Sequence, residues 1–226
     1  MRRPKFISFD CQGTLIHNPY VEWSKKLYAD RLSPDALDAF IRHFKSYRFD
    51  ETMGPWKPFR DVIANALERT CRRTGIDYDP AFAQQIYDDI PNWRPHADAP
   101  AGLARLACEF PLVGLTNSMN SQIMSNMDQF GVKFHAIITA EQVQSYKPRM
   151  KGFDDMFDQL GVGPEDMLHV SSSFRYDLLT ATDAGITNKC WVNRNHEPVI
   201  PYVEHYEVAD IGGVADLLGL PAAAAA

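Results

Sequence analysis

The sequence predicts an α/β protein: a doubly wound parallel sheet with a Rossmann-like core, carrying an inserted all-α helical cap. Three observations carry this expectation. The apolar run Lys5-Phe6-Ile7-Ser8-Phe9 stops abruptly at Asp10, with Gly13 and Thr14 following, as a buried strand does on reaching its turn. About eighty residues with helical periodicity and no strand pattern come next. From Pro95 onward, strands and helices alternate at the spacing of βαβ units.

Each element has a local reason. Residues 21–31 read as the first cap helix. Residues 35–49 read as the second, where Leu37, Phe40, Ile41, Phe44 and Tyr47 recur at helical spacing behind the cap Ser33 and Pro34 at the first helical position. A third spans 59–74 and ends at Gly75; a fourth spans 80–90 and stops before Pro91. The alternating part reads as helix 98–109, strand 111–115, helix 119–130, strand 134–139, helix 151–160, strand 167–170, helix 174–184 and strand 189–193. A short strand near 206–208 and a helix near 213–218 close the chain. The expected domains are a core of residues 1–16 and 95–220, a cap of 17–94, and a disordered alanine-rich tail at 221–226.

Composition narrows the function classes. The 226 residues suffice to bury a sizeable core. A net charge of −6 and no Lys/Arg run argue against nucleic-acid binding. No apolar stretch approaches the roughly 20 residues needed to cross a bilayer, and Met1-Arg2-Arg3 precedes a strand, not the apolar core of a signal peptide. Cys11, Cys71, Cys108 and Cys190 show no Cys-x-x-Cys spacing and fit reduced thiols, so a cytoplasmic location is expected. The seven histidines are scattered without metal-ligand spacing, and no metal or other cofactor is expected.

Polar residues gather at the predicted strand ends. Asp10 follows the first strand, Thr116-Asn117 the second, and Ser171-Ser172-Ser173 the fourth, with Asp177 shortly after; Lys147-Pro148 sits in a loop before a helix. In a parallel sheet these ends lie side by side and define one crevice. Singly, each has a plain explanation: a helix cap, a solvated loop charge, a partner for a helix dipole. Together they suggest an aspartate that attacks an electrophile and forms a covalent ester.

This set resembles the haloacid dehalogenase superfamily over nearly the whole chain. Asp10 to Thr14 matches the Asp-x-x-x-Thr motif, Thr116 the strand-end Ser/Thr, Lys147-Pro148 the Lys-Pro before a helix, and Ser171–Asp177, in part, the acidic fourth motif. Two departures bear on chemistry. Phosphatases of the superfamily carry an acid two residues after the nucleophile, where this chain has Gln12, which has no transferable proton. They hold Mg²⁺ with a fourth-motif aspartate, here replaced by Ser172. A Mg²⁺-dependent phosphatase is therefore the weaker alternative, and a noncatalytic binding protein weaker still, because a buried lysine–carboxylate pair adds little stability by itself.

The closer resemblance is to the L-2-haloacid dehalogenase branch, with its Asp-x-x-Gly-Thr-Leu opening, serine-rich fourth motif and late strand Cys190-Trp191-Val192-Asn193-Arg194. It implies a metal-independent hydrolase acting on a small carboxylic acid. Asp10 displaces halide from C2, and the aspartyl ester is hydrolysed to a 2-hydroxy acid. It further implies that Lys147 keeps Asp10 ionised, and that Thr14 and Thr116, with the amides of Cys11 and Gln12, bind the substrate carboxylate. Asn117 and Arg42 match the halide cradle, although Arg42 reads equally well as an exposed helix arginine. Asp177, with Ser171 and Ser173, orients the hydrolytic water, and a homodimer through cap helices is compatible. Where the branch has tyrosine, this chain has Gln12 and Phe153; Ser173 replaces an asparagine; and the interval to Asp177 is one residue longer, bringing in Phe174-Arg175-Tyr176. The added polarity of Gln12 and Arg175 suits a substrate with a polar group of its own. Ring opening of L-azetidine-2-carboxylate by the same aspartyl attack is thus the alternative. Tyr20, Trp23, Tyr28, Trp56 and Trp93 either close over a ligand or form ordinary cap core. His17 is peripheral, and strand alternation turns the Cys11 side chain away from Asp10.

Overall fold

A computed structural model describes residues 1–222. Residues 223–226 of the expected tail lie outside the described residues. The chain divides into two compact units, one formed by Met1–His17 with the chain from Arg94 onward, the other by Asn18–Trp93.

The first unit is built on β1 (Phe6–Phe9), β2 (Leu112–Thr116), β3 (Ala136–Thr139), β4 (Met167–Ser171), β5 (Asn188–Val192) and β6 (Tyr206–Val208). All neighbours are parallel, in the order β3-β2-β1-β4-β5-β6. The order reverses at β1, so the crevice past the carboxyl ends of β2, β1 and β4 is the expected ligand position. Register fixes which residues meet there: Phe9 pairs with Gly114 on one side and Val170 on the other, placing Asp10 level with Leu115 and Ser171.

The strands β2, β4 and β5 are buried throughout and β1 in its last three residues, as a covered parallel sheet requires, with His169, Asn188 and Lys189 among the buried polar residues. Val113, Leu115, Ile138 and Met167 pack with Phe153 and Met156 of the helix Lys151–Leu160 and with Ala181 of Leu179–Asp183. On the other side, Ala99–Ala107 packs on Ile211–Leu217 so closely that a Cβ on Gly102 would stand 2.7 Å from Ile211.

The second unit comprises α1 (Tyr20–Tyr28), α2 (Pro34–Met53), α3 (Phe59–Thr74) and α4 (Pro80–Asp89). Ser33 accepts the Ala36 amide ahead of Pro34, and Gly75 takes the left-handed conformation that ends α3. Its core contains Tyr28, Phe40, Phe44, Val62, Ile63, Leu67 and Ile86. Tyr20, Tyr28 and Trp93 are buried in that core, Tyr20 standing edge-on to both Phe44 and Trp93. For these three the cap-core reading applies.

Boundaries differ in instructive places. α2 runs to Met53, four residues beyond expectation, and α1 stops at Tyr28 rather than 31. A short helix at Ala140–Val143 was not anticipated, although Thr139 and Gln142 form a capping box legible in the sequence. The helix expected at 174–184 is instead a π turn, Phe174–Leu178, followed by Leu179–Asp183. The π turn takes up one extra residue without interrupting the helix.

Candidate active site

Asp10 stands one residue past β1, where the chain turns sharply. Cys11 O accepts the amides of Leu15 and Ile16, each at 2.9 Å, and Gly13 N–H donates to Ile16 O at 2.7 Å. Gly13 has φ +97°, a region closed to most side chains. The amides of Cys11 and Gln12 enter none of these turn bonds. The turn brings Thr14 Oγ1 back to donate to Asp10 Oδ2 at 2.6 Å, while the same oxygen accepts the Ser172 amide at 2.8 Å. Arg194 holds this loop from outside. It donates twice to Thr14 O, at 2.9 and 3.3 Å, and forks onto Asp98.

Lys147 reaches the same point from the loop before Lys151–Leu160. Its Nζ donates to Asp10 Oδ1 at 2.9 Å, Asp177 Oδ1 at 2.6 Å and Leu115 O at 2.8 Å. An ammonium has three protons, and all three are used. Lys147 is 3% exposed, Asp10 7% and Asp177 0%, so one cation and two carboxylates share a nearly dry space. Asp177 also accepts from His169 Nε2 at 3.2 Å and Ser171 Oγ at 3.0 Å; the other ring nitrogen of His169 meets Ser8 Oγ at 2.9 Å.

Electrostatics divide the two carboxylates. Burial penalises each anion, but around Asp177 the Lys147 charge and His169 outweigh it and hold the pKa below the usual value. At Asp10 burial wins: Lys147 opposes it, the Asp177 charge adds to it, and the pKa is raised. Lys147 therefore limits the rise at Asp10 without cancelling it. Burial also works against the Lys147 cation, yet the fields of Asp10 and Asp177 prevail and hold its pKa above the ordinary lysine value. The result is a Lys147–Asp177 pair beside a second carboxylate whose anion burial disfavours and Lys147 supports; a perturbed acid in such a crevice is a candidate for chemistry.

The structure thus brings together Asp10, Thr14, Lys147, Ser171 and Asp177. It places other candidates differently. Asn117 spends its carboxamide on the Lys147 backbone, donating to Lys147 O at 3.0 Å and accepting Lys147 N–H at 2.8 Å, with one amide proton left over. Thr116 Oγ1 pairs with Ser118 Oγ at 2.9 Å. Ser173 turns its hydroxyl to Glu197 instead of toward Asp177, and the same oxygen caps the start of the π turn by accepting the Tyr176 amide. Gln12 leaves Nε2 buried without a hydrogen-bond partner. The Cys11 thiol is buried and pushed up to about 12, mainly by burial, so only its backbone is suited to chemistry. Arg42 is exposed on α2. Six residues on, Arg48 stacks 3.4 Å from the Tyr20 ring centroid with its Nε buried.

His169, Ser172, Arg194 and Glu197 were not assigned roles from sequence. His169 had a legible signal, a polar residue inside the buried apolar run Met167-Leu168-His169-Val170. The others depend on side chains that cross between loops.

Comparison with known proteins bears on the family and the fold. Residues 93–190 match the family described as haloacid dehalogenase-like hydrolase. The chain is 28% identical over 207 residues to an (S)-2-haloacid dehalogenase of Pseudomonas putida, covering 87% of each chain. It is 26% identical over 198 residues to an (S)-2-haloacid dehalogenase of Pseudomonas fluorescens, covering 83% of this chain and 84% of the other. Among solved structures, the L-2-haloacid dehalogenase from Xanthobacter autotrophicus superposes with a TM-score of 0.78 at 20% identity, over 96% of this chain and 98% of that one.

Proposed function

Because this chain belongs to the haloacid dehalogenase superfamily, as a hydrolase of its L-2-haloacid dehalogenase branch, we propose that it hydrolyses short 2-haloacids through an ester on Asp10. The observation that carries the reading is the three-acceptor seat of Lys147, which sets a cation against the buried Asp10, held at one oxygen by Lys147 and at the other by Thr14.

An Asp10 oxygen attacks C2 of the acid, a C–O bond forms, and the C2–halogen electron pair leaves with the halide, inverting the carbon. The departing halide is already a stable anion and needs donors only, for which the spare amide proton of Asn117 is proposed. The amides of Cys11 and Gln12, with Thr14 and Thr116, hold the substrate carboxylate. Water then attacks the Asp10 carbonyl carbon, losing a proton toward Asp177. The tetrahedral adduct collapses, the Asp10–O bond to the substrate carbon's oxygen breaks, and that oxygen takes a proton to leave as a 2-hydroxy acid. Lys147 stabilises Asp10 as it becomes anionic again.

A divalent metal does not fit this donor set. Among the described residues no group of three His, Cys, Asp or Glu side chains is arranged to hold one. Asp10 and Asp177 both bind the Lys147 ammonium, and Ser172 offers only a neutral hydroxyl. Phosphate-ester hydrolysis, with its need for charge neutralisation, is correspondingly disfavoured.

A second reading has a specific observation behind it. The buried, unpartnered Nε2 of Gln12 is costly in a site built for a halogen and an alkyl group alone. A polar substrate such as L-azetidine-2-carboxylate would give that carboxamide a partner, with the ring amine as the leaving group.

The test offers the chelated enzyme 2-chloropropionate, fluoroacetate, azetidine-2-carboxylate and an aryl phosphate. Halide release with EDTA present supports the dehalogenase, ring opening alone supports the second reading, and Mg²⁺-dependent phosphate release alone refutes both. A single turnover in ¹⁸O-water should label Asp10 rather than product.

A further inference from the structure

The longer interval before Asp177 has a structural counterpart that bears on how this side chain is aimed. Phe174–Leu178 is a π turn: Leu178 N–H donates to Ser173 O at 3.2 Å, and Leu179 N–H donates to Phe174 O, each five residues back. Such turns are rare and concentrate at functional sites. The amides that open the turn have no carbonyl ahead of them within it, so their partners come from elsewhere.

Those partners come from one side chain far along the sequence. Glu197, in the loop after β5, accepts the Phe174 amide at 3.0 Å through Oε2, with the Arg175 amide 3.5 Å from the same oxygen. Its Oε1 accepts Ser173 Oγ–H at 2.9 Å, and Ser173 Oγ accepts the Tyr176 amide at 3.1 Å. The Ser173 amide donates to Ser171 Oγ at 3.0 Å, and Ser171 Oγ–H donates to Asp177 Oδ2 at 3.0 Å. A continuous run of hydrogen bonds therefore joins Glu197 to Asp177 by way of the first residues of the turn.

We propose that Glu197 is a positioning residue: by capping the π turn from outside, it holds Asp177 in register against Lys147, His169 and Ser171. Without this cap the turn can relax to α-helical spacing. A shift of one residue in a helix rotates side chains by about 100°, enough to carry Asp177 off Lys147. Asp10 keeps Thr14 and Lys147 in that event, so the two chemical steps separate. Ester formation, which uses Asp10, survives; ester hydrolysis, which uses Asp177, slows. This consequence rests on the proposed dehalogenase mechanism.

The experiment compares wild type, Glu197→Ala and Glu197→Gln on 2-chloropropionate, by rapid-quench halide release and intact-protein mass. Glu197→Ala should release one equivalent of halide at close to the wild-type rate and then turn over about 10²-fold more slowly with little change in KM, the loss expected when a reacting group is misplaced by about 1 Å. The 1-carboxyethyl ester of Asp10 should accumulate on the protein. Glu197→Gln keeps one acceptor oxygen and should recover most of kcat. Wild-type kcat in Glu197→Ala with no trapped ester overturns the proposal. Ser173→Ala, which removes only the bridging hydroxyl, replaces Glu197→Ala should the latter fail to fold, and should shift the same two readouts in the same direction. If wild type releases no halide at all, the dehalogenase reading fails separately. Amide exchange then decides the positioning role: faster exchange confined to 174–178 in Glu197→Ala supports it, and unchanged exchange overturns it.

Discussion

Replacing Lys147 with methionine keeps most of the stem's volume but removes the cation that the buried carboxylates of Asp10 and Asp177 share. Breaking a buried ion pair from one side costs about 3–5 kcal/mol, because the remaining charge stays in the interior. Set against a typical domain stability of about 5–15 kcal/mol, the variant should fold but sit near the threshold. Urea unfolding at pH 7.5 and pH 5 measures this. In the variant both carboxylates have raised pKa values, so between those pH values the native state binds more protons than the unfolded chain, and stability falls as pH rises. In wild type the lowered Asp177 pKa gives stability that is present above the unfolded carboxylate value and lost as pH falls through the folded one; the raised Asp10 pKa acts in the opposite sense. The raised Lys147 pKa contributes stability fully present below the unfolded lysine value, so it is constant across this window. The deficit of the variant should therefore shrink at pH 5. A deficit under about 1 kcal/mol, or one equal at both pH values, would refute the shared-cation account, since mere lost packing has no such pH signature.

Asp10→Asn should abolish turnover while leaving thermal stability at pH 7 unchanged or higher, because it removes an anion that burial disfavours and leaves Lys147 its bond to Asp177; a large fall in melting temperature would contradict this. The acid limb of kcat/KM should lie above the ordinary aspartate value of about 3.9, since Asp10 must ionise against burial, and a limb at or below that value counts against Asp10 as nucleophile. Thr14→Val should cost about 1–3 kcal/mol in urea unfolding by orphaning the buried Ser172 amide, and should lower kcat more than it raises KM; an unchanged midpoint would show that the amide finds another acceptor.

Much of the site was legible because it hangs on strand ends. Asp10, Thr116, Asn117 and Ser171 follow apolar runs whose length and termination are local properties, and Lys147-Pro148 precedes a helix with clear periodicity. The direction in which a side chain turns beyond the strand was not legible. Asn117 and Ser173 sit where the pattern puts them, yet one braces the Lys147 backbone and the other the π turn, because each found a nearer partner in a loop distant in sequence. Arg42 shows the same limit on a helix, where periodicity gives a face but not what covers it.

What the sequence alone determined here is the succession of buried strands and amphipathic helices, and with it an aspartate at the end of the first strand. These follow from hydrophobic periodicity and turn chemistry, which act over a few residues. Only the folded chain decided that Lys147 has three acceptors, that Asp10 and Asp177 ionise differently, and that an extra residue winds into a π turn capped by Glu197. Those outcomes depend on burial and on contacts between residues far apart in sequence, whose energies exist only once the sheet has brought its loops to one edge.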